Sequence, residues 1–392
     1  MKPSKRLQSL SSAIFTEMAQ RKRVVENRGT KVIDLGIGSP DHPPAPHIIE
    51  ALVSAVQNPA NYRYPTTEGS NSFREAVADW YEHRFAVKLD PQQEVHALMG
   101  SQDGLAHMAQ AWIDPGDLVL VPDPGYPIYA AGVVIAGGDM YPMPLLNEND
   151  FLPDFSQIPD DVARRAKFMI LNYPNNPLAA TADRDFFEHA VRFAKDNDIL
   201  IVHDLAYSEL AFDGYRPPSI LEIDGAKEVA IEFNSLSKSF NMAGCRIAYV
   251  VGRAELIKPL SIIKSNIDYG VFLAVQEAAI SAIRMDISGS YPNRVAELYQ
   301  KRRDVLLDGL AEIGWVIGKP KATMFVWARI PEGYSSAEFA YTLLEQVGVV
   351  VIPGNAFGEK GEGFVRIALV EEEEVLKEVV TRIASSGLIQ KK

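Results

Sequence analysis

Cysteine is almost absent from this chain of 392 residues: Cys245 stands alone. One thiol excludes an intramolecular disulfide and any cysteine-built metal site, and it fits a reducing compartment such as the cytoplasm. Basic residues are also in deficit, with 39 Lys and Arg against 51 Asp and Glu and a formal charge of −12. Such a chain lacks the basic footprint that a nucleic acid or an anionic membrane needs, so any anion must be bound locally. Long apolar runs are missing, and none approaches the roughly 18 residues of a membrane-spanning helix. Leu7 to Phe15 is interrupted by Gln8 and serines, and Arg21, Lys22 and Arg23 follow too soon for a secretory signal. The seven histidines show no ligand spacing, so no metal site is expected. Gly36-Ile37-Gly38 lacks the third glycine of a dinucleotide fingerprint. Gly100-Ser101-Gln102-Asp103-Gly104 lacks the Gly-Lys-Ser/Thr ending of a phosphate-binding P-loop.

What is present is enough apolar content, 47%, for a large core and two domains. Short apolar runs at Val95 to Met99, Leu118 to Val121, Phe168 to Leu171, Ile199 to Val202, Val229 to Phe233 and Ile247 to Val251 read as strands. Several lack period-2 alternation, as expected where both faces of a sheet are covered. Helical spacing at Gly104 to Trp112 and Asp183 to Lys195 lies between them, which predicts an α/β domain with a mostly parallel sheet. After residue 290 the texture becomes that of a smaller α+β unit. It has helices at Lys301 to Ile313 and Ser336 to Val347, and strands at Thr323 to Ala328, Val349 to Ile352 and Val365 to Leu369. The run Glu371 to Glu374 should open a final helix, where negative charge suits the N-terminus. The expected division is an N-terminal segment 1–40 packed on the small unit, a large domain 41–290 and a small domain 291–392.

Chemistry gathers where the predicted parallel strands end, the usual place for ligands in such sheets. Gly100 to Gly104 leaves a strand and opens a helix, which offers backbone N–H groups to an anion or simply caps the helix. Asp123-Pro-Gly-Tyr-Pro-Ile-Tyr129 presents Tyr126 on a proline-stiffened turn, able to stack on a flat ring or to pack on a loop. Asn172-Tyr-Pro-Asn-Asn-Pro177 places Asn176 at another strand end, where it either bonds a ligand oxygen or makes a turn. Asp204, after the apolar run Ile199 to Val202, must reach solvent or meet a cation, and no lysine or arginine adjoins it. His203 beside it reads as a packing group or a support for neighbouring side chains rather than a ligand. Lys238 lies among serines in Ser235-Leu-Ser-Lys-Ser-Phe-Asn-Met-Ala-Gly-Cys-Arg246, directly after a strand. Arg366, inside the apolar run Phe364 to Leu369, suits either a ligand carboxylate or an internal salt bridge. A phosphate cradle, a stacking ring, an acid for a ring nitrogen, donors for a ring oxygen, a carbonyl-reactive lysine and a carboxylate clamp together specify pyridoxal 5′-phosphate.

Over essentially its whole length, in motif order, the chain resembles the fold-type I, class I/II pyridoxal-phosphate aminotransferases. The resemblance implies that Lys238 holds the cofactor aldehyde, Asp204 pairs the pyridine nitrogen, and Tyr207 and Asn176 bond the ring hydroxyl oxygen. It implies that Tyr126 stacks on the ring, that Ser101, Gln102, Ser235, Ser237 and Arg246 hold the phosphate, and that Gly38, Asn176 and Arg366 receive the substrate carboxylate. Tyr64 would reach the phosphate of a partner subunit, which implies a homodimer with shared sites acting on an amino acid and a 2-oxo acid. Asp34 to Asp41, Asp213 to Pro218 and Lys264 to Asp268 resemble the LL-diaminopimelate branch, whereas Asp268 to Gly270 and Lys319 to Met324 look equally like the alanine branch. Three departures from the family pattern stand out: Leu178-Ala179 stands for Thr-Gly, Cys245 for tryptophan and Ala248 for glycine. The same residue set would also serve a carbon–sulfur β-lyase. A cofactor-sensing regulator would need a DNA-binding domain, for which the acidic chain shows no sign.

Overall fold

The computed structural model describes residues 4, 6, 7, 10 and 13–390. The six expected runs enter one seven-stranded sheet. Its order is Val95–Leu98, Ala248–Gly252, Ala230–Ser235, Leu200–Asp204, Ala166–Asn172, Leu118–Asp123 and Asp139–Pro144. Ala248–Gly252 is antiparallel to both neighbours, and the remaining pairings are parallel. The parallel strands therefore end along one edge, where Asn172 lies opposite Asp204 and Asp204 opposite Phe233.

Helices on both faces explain the continuous apolar runs. Phe168, Ile170, Leu200, Val202 and Phe233 pack with Leu105 and Val133 of helices Ser101–Trp112 and Pro127–Ala136. Met169, Leu171 and Ile201 point the other way, toward Phe73, Phe187 and Ala190. This period-2 alternation sends His203 and Asp204 to opposite faces.

The edge strand Asp139–Pro144 was not expected. Only Met143 in it is buried, and Pro142 and Pro144 remove two donors, which an edge strand tolerates. Its sequence therefore carries little strand signal.

Beyond the large sheet, Ile352–Pro353, Phe364–Ala368 and Phe325–Arg329 form an antiparallel three-stranded sheet. The expected strand Val349 to Ile352 divides, because Val349–Val350 pairs in parallel with Ile33–Asp34 while Ile352 joins the three-stranded sheet. The expected helix Ser336 to Val347 is α-helical to Thr342 and closes with a π turn, Leu343–Val347, stopped by Gly348 at φ 70°. Glu373 and Glu374 occupy the first turn of helix Glu373–Ser386, as the dipole argument expects. Met18 and Val25 of helix Ala13–Asn27 share a core with Leu306, Val349 and Leu376. Among the described residues no helix is long and apolar enough to cross a membrane. The segment after Asp34 then runs between the two sheets, with the Gly36 carbonyl on Arg366 and the Gly38 carbonyl on Lys238.

Candidate active site

A cavity of about 390 Å³ opens at the carboxyl edge of the parallel strands and is closed from the other side by the three-stranded sheet. Its lining includes Gly38, Ser101, Gln102, Tyr126, Asn176, Asp204, Tyr207, Ser235, Ser237, Lys238, Arg246 and Arg366. Every sequence-predicted site residue except Tyr64 is thus brought together. Tyr64 is 88% exposed and lies away from the cavity, its ring 5.7 Å from that of Tyr269.

Lys238 belongs to the short helix Leu236–Ser239, which Ser235 starts by accepting the Ser237 N–H at 3.1 Å. Its ammonium donates to the Gly38 carbonyl at 2.5 Å, and among the described residues it has no carboxylate partner. Burial, with Arg366 and Arg246 nearby, lowers its pKa to about 8. An amine poised there exchanges protons readily near neutral pH.

Asp204 ends its strand buried on the cavity side, accepting the Tyr129 hydroxyl at 2.9 Å and the Ala206 N–H at 3.2 Å. Burial pushes its pKa up, and no cation of the described residues pairs with it. A protonated ring nitrogen would supply the missing charge. His203 turns to the opposite face, meeting Glu232 at 2.8 Å and the Tyr173 carbonyl at 3.2 Å. Glu232 also accepts from Tyr81, Ser219 and the Ile220 N–H, so this fully buried carboxylate is saturated. His203 is therefore a packing group, as its sequence context suggests.

Asn176 joins two parts of the site, donating to the Tyr207 hydroxyl at 3.3 Å and accepting from Arg366 at 2.8 Å. Arg366 also donates to the Gly36 carbonyl at 2.7 Å, and its guanidinium lies 4.3 Å from the Phe325 ring centroid and 4.7 Å from that of Phe357. It has no carboxylate partner among the described residues, its Nε is buried without one, and burial lowers its pKa to about 10. The internal salt bridge open to it in the sequence is not formed. A ligand carboxylate fits this desolvated fork.

Gly100 precedes helix Ser101–Trp112 at φ 88°, and a Cβ there would lie 2.2 Å from the Arg246 guanidinium. Glycine thus lets Arg246 approach the helix start, where free N–H groups and a positive dipole end favour an anion. Gln102 accepts from the Tyr126 hydroxyl at 3.1 Å, fixing that ring at the cavity wall. At Gly38 a Cβ would lie 2.3 Å from the Phe325 ring, so only glycine fits the close crossing.

Sequence reasoning missed four contributors. Tyr129 lay inside a quoted motif, where the short spacing from Tyr126 was a usable signal. Gly36, Phe325 and Phe357 reach Arg366 from remote segments and leave no local mark. Of the three departures, Leu178 is buried beside Trp327 and Ile352, Ala248 lies within a central strand, and Cys245 is half-buried outside the cavity lining.

The architecture is that of the fold-type I aminotransferases. It superposes on the substrate-bound BacF structure from Bacillus subtilis with a TM-score of 0.94 at 39% identity, covering 100% of this chain and 99% of that one. Residues 30–383 match the aminotransferase class I and II family, and the chain belongs to it. It is 49% identical over 383 residues to an LL-diaminopimelate aminotransferase of Moorella thermoacetica, covering 98% of each chain. It is 46% identical over 390 residues to one of Halothermothrix orenii, covering 99% of each. The chain is therefore a transaminase, of a family that in general depends on pyridoxal phosphate. The residues present fit that cofactor, with an unpaired buried acid at Asp204, an unpaired amine at Lys238 and an anion cradle between Gly100 and Arg246.

Proposed function

We propose that this enzyme moves an amino group between LL-diaminopimelate and a 2-oxo acid such as 2-oxoglutarate or pyruvate, in alternating half-reactions. The substrate assignment is supported by relatives named LL-diaminopimelate aminotransferase at 45–49% identity over nearly the full chain. The site's reading is carried by one observation: Arg366 is buried in the cavity wall with no carboxylate partner among the described residues.

Pyridoxal phosphate, when bound, supplies an aldehyde that takes the amino group and a ring that accepts charge from Cα. Lys238 would hold that aldehyde, and its amine, once free, would carry the Cα proton. Asp204 keeps the proton on the pyridine nitrogen, and Tyr129 holds its carboxyl in place. Tyr207 and Asn176 bond the ring oxygen, and Tyr126 covers the ring face. Ser101, Gln102, Ser235, Ser237 and Arg246 hold the phosphate. Gly38, Asn176 and Arg366 would orient the substrate carboxylate in the cavity that Lys238 also lines.

The working unit is a homodimer in the cytoplasm, in which Tyr64 of each chain completes the other's phosphate site. Its exposed ring and the neighbouring exposed Tyr62 and Tyr269 suit burial against a second copy. Residues 41–290 form the cofactor domain, and 291–392 with segment 1–40 form the smaller one.

A half-reaction screen tests the substrate. The enzyme loaded with cofactor is mixed with single amino acids, and loss of the cofactor's long-wavelength absorbance is followed. LL-diaminopimelate should react fastest; a fast response to alanine with none to LL-diaminopimelate would overturn the assignment.

A further inference from the structure

We infer that Arg302 is a positioning residue for substrate, a strap that fastens both arms of the carboxylate clamp to one buried guanidinium. The inference rests on the reading of Arg366 as the carboxylate receptor.

The clamp has two arms of different origin. Gly36 and Gly38 lie on the segment that follows strand Ile33–Asp34, and Arg366 lies on strand Phe364–Ala368. They meet through the bond from Arg366 to the Gly36 carbonyl, at 2.7 Å. The strand of Arg366 is paired on both sides, and the other arm keeps one backbone bond past Asp34, from the Leu35 N–H to the Val350 carbonyl at 3.0 Å; Gly38 and Asp41 lie beyond it.

Arg302 projects from helix Val295–Glu312 and its side chain is fully buried. Its two terminal nitrogens bind both oxygens of Asp41 at 2.7 Å, a bidentate pair. One of them also donates to the Leu369 carbonyl at 3.1 Å, and the other reaches Glu372 at 3.2 Å. Asp41 lies three residues beyond Gly38, and Leu369 three beyond Arg366. A single guanidinium thus holds the end of each arm. The Ala368 N–H adds a direct tie to the Leu35 carbonyl at 2.8 Å. Asp41 stays charged because Arg302 holds its carboxyl below the usual range, against the opposing effect of burial.

A planar fork is needed for this task. Lysine at 302 would keep the charge but could not grip both Asp41 oxygens and Leu369 at once. Arg302 touches neither the cavity lining nor Lys238, so its loss should weaken ground-state and transition-state binding alike, raising KM and leaving kcat nearly unchanged.

The test uses the full-length enzyme loaded with pyridoxal phosphate and three variants: Arg302→Lys, Arg302→Gln and Asp41→Asn. Binding of pyruvate, which brings no amino group to exchange, is measured by calorimetry, and KM and kcat are measured for an amino acid. Expected are a pyruvate dissociation constant and a KM each raised about tenfold, with kcat within about twofold and cofactor affinity unchanged. Asp41→Asn should reproduce Arg302→Lys, and the double variant should be no worse than either alone. If Arg302→Gln fails to fold, Asp41→Asn decides, since Asp41 is partly exposed. Unchanged pyruvate binding in Asp41→Asn and Arg302→Lys would overturn the strap, as would a fall in kcat or cofactor affinity with KM unmoved. Amino-group exchange by the unaltered enzyme tests the reading of the site separately from these ratios.

Discussion

Lys264, fully buried, and Lys238, half-buried, both lie near the helix start at Ser101, yet the protein treats them oppositely. Lys264 is fully enclosed between Asp103 and Asp268, two carboxylates for one ammonium. Lys238 meets a backbone carbonyl and the fields of two arginines. The arginines repeat the contrast, for Arg302 grips Asp41 while Arg366 has no acid among the described residues. Of these four cations, Lys264 and Arg302 are neutralised by carboxylates, and Lys238 and Arg366, without one among the described residues, line the cavity. The same rule applies to two groups spaced as for a metal, Asp41, His42 and Glu372, and Asp103, His107 and Asp268. Each already contains a protein cation, Arg302 or Lys264.

The sharpest way to break this comparison is to remove each lysine in turn. Lys238→Ala should lower turnover by at least about 10³-fold, since general acid–base transfer alone contributes 10²–10⁴. It should leave the folded enzyme able to bind cofactor by its phosphate. Normal turnover in steady-state assays would refute the assignment.

Lys264→Met should act on stability instead, because it leaves two half-buried carboxylates without their cation. A loss of about 3–5 kcal/mol in urea unfolding is expected, with kcat of the remaining folded enzyme little changed. Asp103 supplies a pH check. Burial raises its pKa, but His107 and Lys264 outweigh this and bring it to about 2. Its folded value lies below its unfolded one, so its stabilisation is present above the unfolded value of 3.8 and is lost as pH falls toward 2. A variant as stable as the parent would show that the two aspartates do not need their cation.

Lys238 has the opposite sign. Its pKa is depressed, so between pH 8 and 10.5 the unfolded chain holds the extra proton and stability rises with pH. In cofactor-free protein, Lys238→Met should therefore stabilise at pH 7, by up to about 3 kcal/mol. The gain should shrink toward zero as pH approaches 10.5, the ordinary lysine value. A constant gain across that range would point to packing alone.

The same contrast separates what the sequence discloses from what it hides. Lys238, Asp204, Asn176 and Tyr126 each lie in a short run where a parallel strand ends, so local spacing and one topological rule place them together. Arg366 was visible as a cation in an apolar run, but not whether an acid awaited it. Its partners Gly36, Asn176, Phe325 and Phe357 come from four remote segments. Arg302 was invisible for the same reason, because its meaning lies in Asp41, on the far side of the chain in sequence. The strand Asp139–Pro144 was missed because its exposed edge position permits prolines that a central strand would reject.

The smallest effect concerns a departure that the structure makes intelligible. Ala179 stands where the family pattern has glycine, and its φ is 55°, in the left-handed region. A Cβ there crowds the carbonyl and costs roughly 1–2 kcal/mol, whereas glycine adopts the conformation freely. Ala179→Gly also loosens the unfolded chain, which offsets part of the gain by about 0.4–1 kcal/mol. A net stabilisation of about 0.5–1 kcal/mol is expected in urea unfolding, with KM and kcat unmoved, because Ala179 does not line the cavity. If the variant is instead less stable, the buried methyl, packed in the same turn as Leu178, contributes more than the backbone strain it imposes.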